Sequence, residues 1–345
     1  MLDDQIVSLK TLEKELNNRN EGQIRDIFRG VRISIRQISL LESYGVSPLY
    51  YQSQDVKFLN KLAFQIHQEI GLPTAHPVIS CISTSYYYSF TPTRVIFVPL
   101  AEPDFLLHLS DIYHEIGHHV LASMENETRL KPIQLCYEKA IARITEYYSD
   151  LLTRRRRENP PKGVILAIEH AHNQWKDWID EIFCDIFSLT VLGPAYAWSH
   201  LHLTAKMSRN IHEFALWGRQ SHPSDEGRMR ALVHGLRNLG FRSESESITD
   251  LWREQLSLFS AASPEYQYAC PDPLMKDITH LFIEAIRTST FIVASPELIA
   301  SESQSGSIRR LLNQAWTEFW SSPLGFRTWE KKQLLELREM LDVNE

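Results

Sequence analysis

Cysteine is scarce in this 345-residue chain. Cys81, Cys136, Cys184 and Cys270 are scattered, with no CxxC pair. That excludes a disulfide scaffold and predicts reduced thiols in a reducing compartment. An excess of basic charge is also missing. Lys and Arg total 36 against 43 Asp and Glu, a net charge of −7, so no broad basic surface for nucleic acid is indicated. Long lipid-like runs are absent too. The most apolar stretch, 182–203, carries Asp185, His200 and His202, which would be costly inside a membrane span. Met1-Leu2-Asp3-Asp4 lacks the basic and apolar regions of a secretory signal, so a cytoplasmic location is expected. The apolar fraction of 43% and charged fraction of 23% are ordinary for globular proteins, which excludes collagenous or wholly disordered chains.

What the chain does have is helical periodicity. Apolar residues recur at spacings of three and four over 5–45, and a second helix over about 53–71 ends at Gly71-Leu72-Pro73. The β-branched and aromatic runs 78–84 and 93–98 read as short strands, separated by the aromatic stretch 85–90. Asp104 is a candidate N-cap for a helix reaching about Glu125. Further helices are expected at about 131–157, 163–190, 194–218 and 224–240, and the last hundred residues are mostly helical. Arg154 to Arg157 suit a helix C-terminus and need no nucleic acid to explain them.

The motif that carries chemistry is His114-Glu115-Ile116-Gly117-His118, an HExxH sequence. At four residues' separation the two imidazoles lie about 40° apart on one helical face, one turn above the other. They can share one Zn²⁺, with Glu115 directed at water on the metal. Phe105, Leu109, Ile112, Ile116 and Val120 form an apolar stripe on the opposite side.

Two downstream ExxxD pairs are available. Glu146 and Asp150 lie 28 residues or more beyond His118, and Glu181 and Asp185 lie 63 or more beyond it. Arg143 and Arg154 flank the first pair, which suits a solvated, salt-bridged face. Trp178, Ser188 and Leu192 share the face of the second, which suits an enclosed one. Further on, Ser221-His222-Pro223-Ser224-Asp225 through Arg228 puts an imidazole at a loop–helix junction and an arginine one turn into the helix. Gly193-Pro194 stops one helix and starts another, with Tyr196 in its first turn. His119 is expected to pack beside the motif, and the pairs His170/His172 and His200/His202 do not share a helical face and are assigned no metal.

HExxH, ExxxD and His-Pro…Arg in this order resemble the gluzincin zinc metallopeptidases, most closely the CAAX-prenyl-protease/HtpX-like branch, over about 94–235. No histidine stands where the metzincin motif requires its third ligand. The resemblance implies Zn²⁺ held by His114, His118 and Glu181, with Asp185 buttressing a histidine. It also implies an edge strand beside the HExxH helix that holds substrate extended. Glu115 is then the general base, while His222, and less directly Tyr196, stabilises the oxyanion, and Arg228 pairs with a buried carboxylate or orients the site. The expected fold is mainly α with a small β-sheet (α+β). A zincin-like core over 76–240 lies between helical regions 1–75 and 241–345. The expected activity is hydrolysis of a protein or peptide substrate, with the terminal helices open to a regulatory partner. The alternatives are a zincin-fold sensor with little proteolysis and a metal-dependent amidohydrolase on a non-protein substrate.

Overall fold

Helical periodicity becomes helix through most of the chain, and the sheet is small: the fold is mainly α with a small β component. The computed structural model describes residues 7, 10, 11, 14, 21–50, 53–83, 86–206, 210–301 and 307–343. In order these form α1 (Glu21–Leu41), α2 (Gln54–Ile70), β1 (Val78–Ser83), β2 (Tyr88–Phe90), β3 (Val95–Pro99), α3 (Asp111–Ser123), α4 (Lys131–Arg157) and α5 (Lys162–Leu192). There follow α6 (Pro194–Lys206), α7 (Asp225–Leu239), α8 (Arg242–Leu256), α9 (Asp272–Arg287), α10 (Ile308–Ser321) and α11 (Pro323–Val343). Part of the helix expected over 5–45 lies outside the described residues; most of the rest is α1, followed by the π-helical turn Glu42–Val46. Among the described residues no helix is long and apolar enough to cross a membrane.

The most apolar segment becomes the central element. From Glu181 to Leu192 every residue of α5 is buried. A helix apolar on all sides has to be surrounded, and α3, α4, α6, α7 and α9 pack around this one. Two glycines permit the closest approaches. A Cβ on Gly117 of α3 would sit 3.0 Å from both Cα and Sγ of Cys184 on α5, and one on Gly235 of α7 would sit 2.4 Å from Leu189. The terminal segments join the same core, which runs from Val56 to Leu341. Asn313 of α10 accepts from the Ala195 amide at 2.9 Å and donates to the Leu192 carbonyl at 2.8 Å, closing the break between α5 and α6. At that break Gly193 has φ 91°, as the expected helix stop requires.

The sheet has the order β1-β3-β2, with β1 parallel and β2 antiparallel to β3. The aromatic stretch taken as a link thus contains a strand. The edge strand beside the HExxH helix is β2, pairing Tyr88 with Phe97 and Phe90 with Val95, whereas β3 lies in the middle. Two helix boundaries also differ from expectation. Asp104 caps no long helix: the 3₁₀ turns Glu102–Asp104 and Leu106–His108 precede α3, and Phe105 is partly exposed rather than part of the buried stripe. Pro103 offers no amide, and the Leu106 amide is taken by Glu330 Oε1 of α11 at 2.8 Å. The helix expected over 194–218 ends at Lys206. The chain beyond it is fastened to α5 instead: Gln174 and Trp178 donate to the carbonyls of Gly218 and Gln220, each at 2.9 Å.

Candidate metal centre

Four elements bring the candidate residues together. Helix α3 supplies His114, Glu115 and His118; α5 supplies Glu181 and Asp185; α6 supplies Tyr196; and α7, capped by Ser224 Oγ on the Gly227 amide, supplies Arg228. His222 stands on the loop that α5 anchors. The contact at Gly117 draws α3 against α5 so that His114 Nε2 lies 3.3 Å from Glu181 Oε2, and His118 Nε2 lies 3.6 Å from Glu181 Oε1. Donor atoms on a tetrahedral zinc with bonds near 2.0–2.1 Å stand about 3.3–3.4 Å apart. Each imidazole thus stands near that separation from one of the two Glu181 oxygens, His114 from Oε2 and His118 from Oε1. His222 Nε2 lies 3.6 Å from Glu181 Oε2, with its side chain about half exposed.

His114, Glu115, His118, Glu181 and His222 line one side of an open cavity of about 560 Å³, whose other walls include Tyr88 and Ser89 of the edge strand, Tyr87 just before it, and Tyr137 and Asp180. Glu115 Oε2 and Glu181 Oε2 are buried and make no well-aligned hydrogen bond. Buried carboxylate oxygens without partners are rare, because leaving them so is costly. Both residues line the cavity, and Glu181 Oε2 has the imidazoles of His114 and His222 close by.

Behind His114 the groups are fully engaged. Arg228 donates to Asp185 through Nε at 2.7 Å and through Nη2 at 2.6 Å, a bidentate pair. Asp185 Oδ1 also lies 3.1 Å from His114 Nδ1 and accepts from the Tyr196 hydroxyl at 2.5 Å. That hydroxyl lies 2.9 Å from the same Nδ1. With its own proton given to Asp185, it can only accept from the imidazole. Nδ1 thus carries a hydrogen, so Nε2 is the nitrogen left for a metal, which it can take only by giving up the second proton that Asp185 and Glu181 favour on this ring.

Electrostatics favour positive charge at this spot. Burial alone would lower the His114 pKa, but Asp185 and Glu181 hold it at about 10. Burial would raise the Glu181 carboxyl; the hydrogen bond and charge of His114, with Arg228, bring it down to about 2. Asp185 is likewise held well below the carboxylate range against burial, chiefly by Arg228. Burial pushes Glu115 up. His118 falls to about 4 through burial and the neighbouring His114.

The other sequence candidates fall elsewhere. Glu146 and Asp150 are exposed on α4, and Glu146 is bound to Arg143 at 2.9 Å. Tyr196, expected as an oxyanion donor, is 2% exposed and does not line the cavity: its hydroxyl is committed behind His114. His119 is buried, and neither ring nitrogen has a hydrogen-bond partner. Sequence reasoning missed Cys184. A ligand atom from each of His114, His118 and Cys184 falls within 4.8 Å of the others. Cys184 is 0% exposed, does not line the cavity, and its thiol is pushed far above its usual pKa, first by burial. Glu181, unlike Cys184, lines the cavity. Sequence reasoning also missed Asp180, although it adjoins Glu181. No protein-family model, curated protein or solved structure matches the chain.

Proposed function

We propose that this chain is a zinc-dependent metallopeptidase of the gluzincin kind, with His114, His118 and Glu181 as metal ligands. The observation that carries the reading is the convergence of these donors with the buried Glu115 carboxylate, whose Oε2 has no hydrogen-bond partner, on one open cavity. Three protein donors leave a fourth position for water or substrate, which a catalytic site needs and a structural one does not. Zn²⁺ in this setting supplies Lewis acidity, polarising a carbonyl and acidifying water.

The chain's own residues do the rest. Glu115, buried and with a raised pKa, takes the proton from the attacking water and delivers it to the leaving amine. His222 reaches the cavity from its loop and donates to the carbonyl oxygen as negative charge develops there. Asp185, Tyr196 and Arg228 fix the tautomer and orientation of His114 without touching substrate. Edge strand β2 offers its backbone to an extended peptide.

The test pairs activity with metal content. Zinc-loaded wild type is expected to cleave quenched fluorogenic peptide pools. Glu115→Gln is expected to retain its zinc and lose at least about a hundredfold in rate. Equal cleavage by both proteins would refute the role of Glu115. A second reading follows from Cys184: a closed site of His114, His118, Glu181 and Cys184 would be structural and non-proteolytic. Cobalt substitution separates the two, because a Cys184 ligand would add thiolate-to-cobalt charge-transfer absorption.

A further inference from the structure

We infer that Asp180 is a specificity residue that selects peptides carrying lysine or arginine beside the bond to be cut, an inference that rests on the peptidase reading. Three acids line the cavity: Glu115, Asp180 and Glu181. Two have roles in the reaction, and Asp180 has none. It stands on α5 next to Glu181, and Tyr137 of α4 donates its hydroxyl to Oδ1, fixing the carboxylate in place. Asp180 has no ion pair with Lys or Arg among the described residues, and neither residue type lines the cavity. Some acids elsewhere do have such partners, as Glu146 has Arg143 and Asp177 has Arg219.

The walls near it complete the match. Leu121, Ala122 and Met124 of the α3 C-terminus and the turn after it, together with the Tyr137 ring, give the same cavity an apolar flank. Lysine and arginine have an aliphatic stem ending in a cation, so a cavity that holds both apolar walls and a fixed carboxylate suits both parts of the side chain. An acidic side chain in this position would meet the Asp180 carboxylate, which no Lys or Arg pairs with among the described residues.

The experiment uses full-length, zinc-loaded protein and two readouts. Fluorogenic pools with one fixed position of Lys, Arg, Ala or Glu report cleavage, and fluorescein-labelled Lys-fixed and Glu-fixed peptides report binding to Glu115→Gln by anisotropy. Wild type is expected to prefer Lys and Arg pools over Glu pools by at least about tenfold. Asp180→Asn keeps the acceptor for Tyr137 and is expected to bring that ratio close to one, while Asp180→Glu retains most of it. Glu146→Gln removes the same charge elsewhere and is expected to leave the ratio intact. A preference that survives in Asp180→Asn, or no preference in wild type, overturns the inference. Absence of cleavage alongside Asp180-dependent binding would sustain the specificity site and contradict the peptidase reading instead.

Discussion

The ExxxD spacing occurs twice, on α4 and on α5, and its two copies meet opposite surroundings. Glu146 and Asp150 face water, and Glu146 shares Arg143 with Asp277, which lies 2.8 Å from that guanidinium. Glu181 is 8% exposed and Asp185 is 0% exposed. The first faces two imidazoles across the helix interface, and the second is locked by Arg228. Spacing places both acids of each pair on one helical face, and nothing more. What separates the two faces is whether the carboxylates are buried, and whether imidazoles and a guanidinium or water surround them.

The largest effect expected from this contrast concerns the arginines. Arg228→Ala leaves the Asp185 charge buried without its partner and is expected to cost about 3–5 kcal/mol in urea unfolding. Arg143→Ala, on the exposed copy, is expected to cost about 1 kcal/mol or less. Equal losses would erase the distinction between the two regions.

A smaller effect comes from the close helix contact. Gly117→Ala forces Cys184 or the α3 backbone to move and is expected to cost about 1–3 kcal/mol, with weaker zinc retention because the histidines shift from Glu181. Gly163 lies in the exposed first turn of α5 with nothing near its Cβ position. Gly163→Ala is expected to stabilise by about 0.4–1 kcal/mol. Thermal unfolding of the two variants side by side checks the opposite signs.

A last effect is in pH dependence. His200 on α6 is buried, its Nε2 has no partner, and burial lowers its pKa from 6.5 to about 4. Below pH 6.5 the unfolded chain binds a proton that the folded chain refuses. The stability His200 contributes is therefore complete above pH 6.5 and declines as pH falls toward 4, by up to about 1.4 kcal/mol per pH unit. Replacing His200 with Gln should flatten the urea midpoint against pH in that window; an unchanged slope would place the acid sensitivity elsewhere.

Much of the site was legible because it is written in short-range spacing. His114, Glu115 and His118 share a turn of helix, and the flanks of the two ExxxD pairs already differ in charge and aromatic content. Gly71 and Gly193 mark helix ends that their positive φ angles bear out. The illegible parts depend on contacts distant in sequence. No local period marks β2 as an edge strand, because its three residues gain their conformation by pairing with β3. The loop after α6 escapes helix because Gln174 and Trp178, more than forty residues earlier, take its carbonyls. Tyr196 sits one turn from a helix start, as expected, yet the direction of its hydroxyl is set by Asp185 on another helix. Asp180 carries no pattern of its own, and only the cavity distinguishes it.

The most direct test of the account is zinc per chain by elemental analysis, on wild type, Glu181→Ala and Glu146→Ala purified without added metal. The account predicts about one zinc in wild type and in Glu146→Ala and little in Glu181→Ala, with all three folded. Zinc lost from Glu146→Ala but kept in Glu181→Ala, or no zinc in any folded sample, would contradict it.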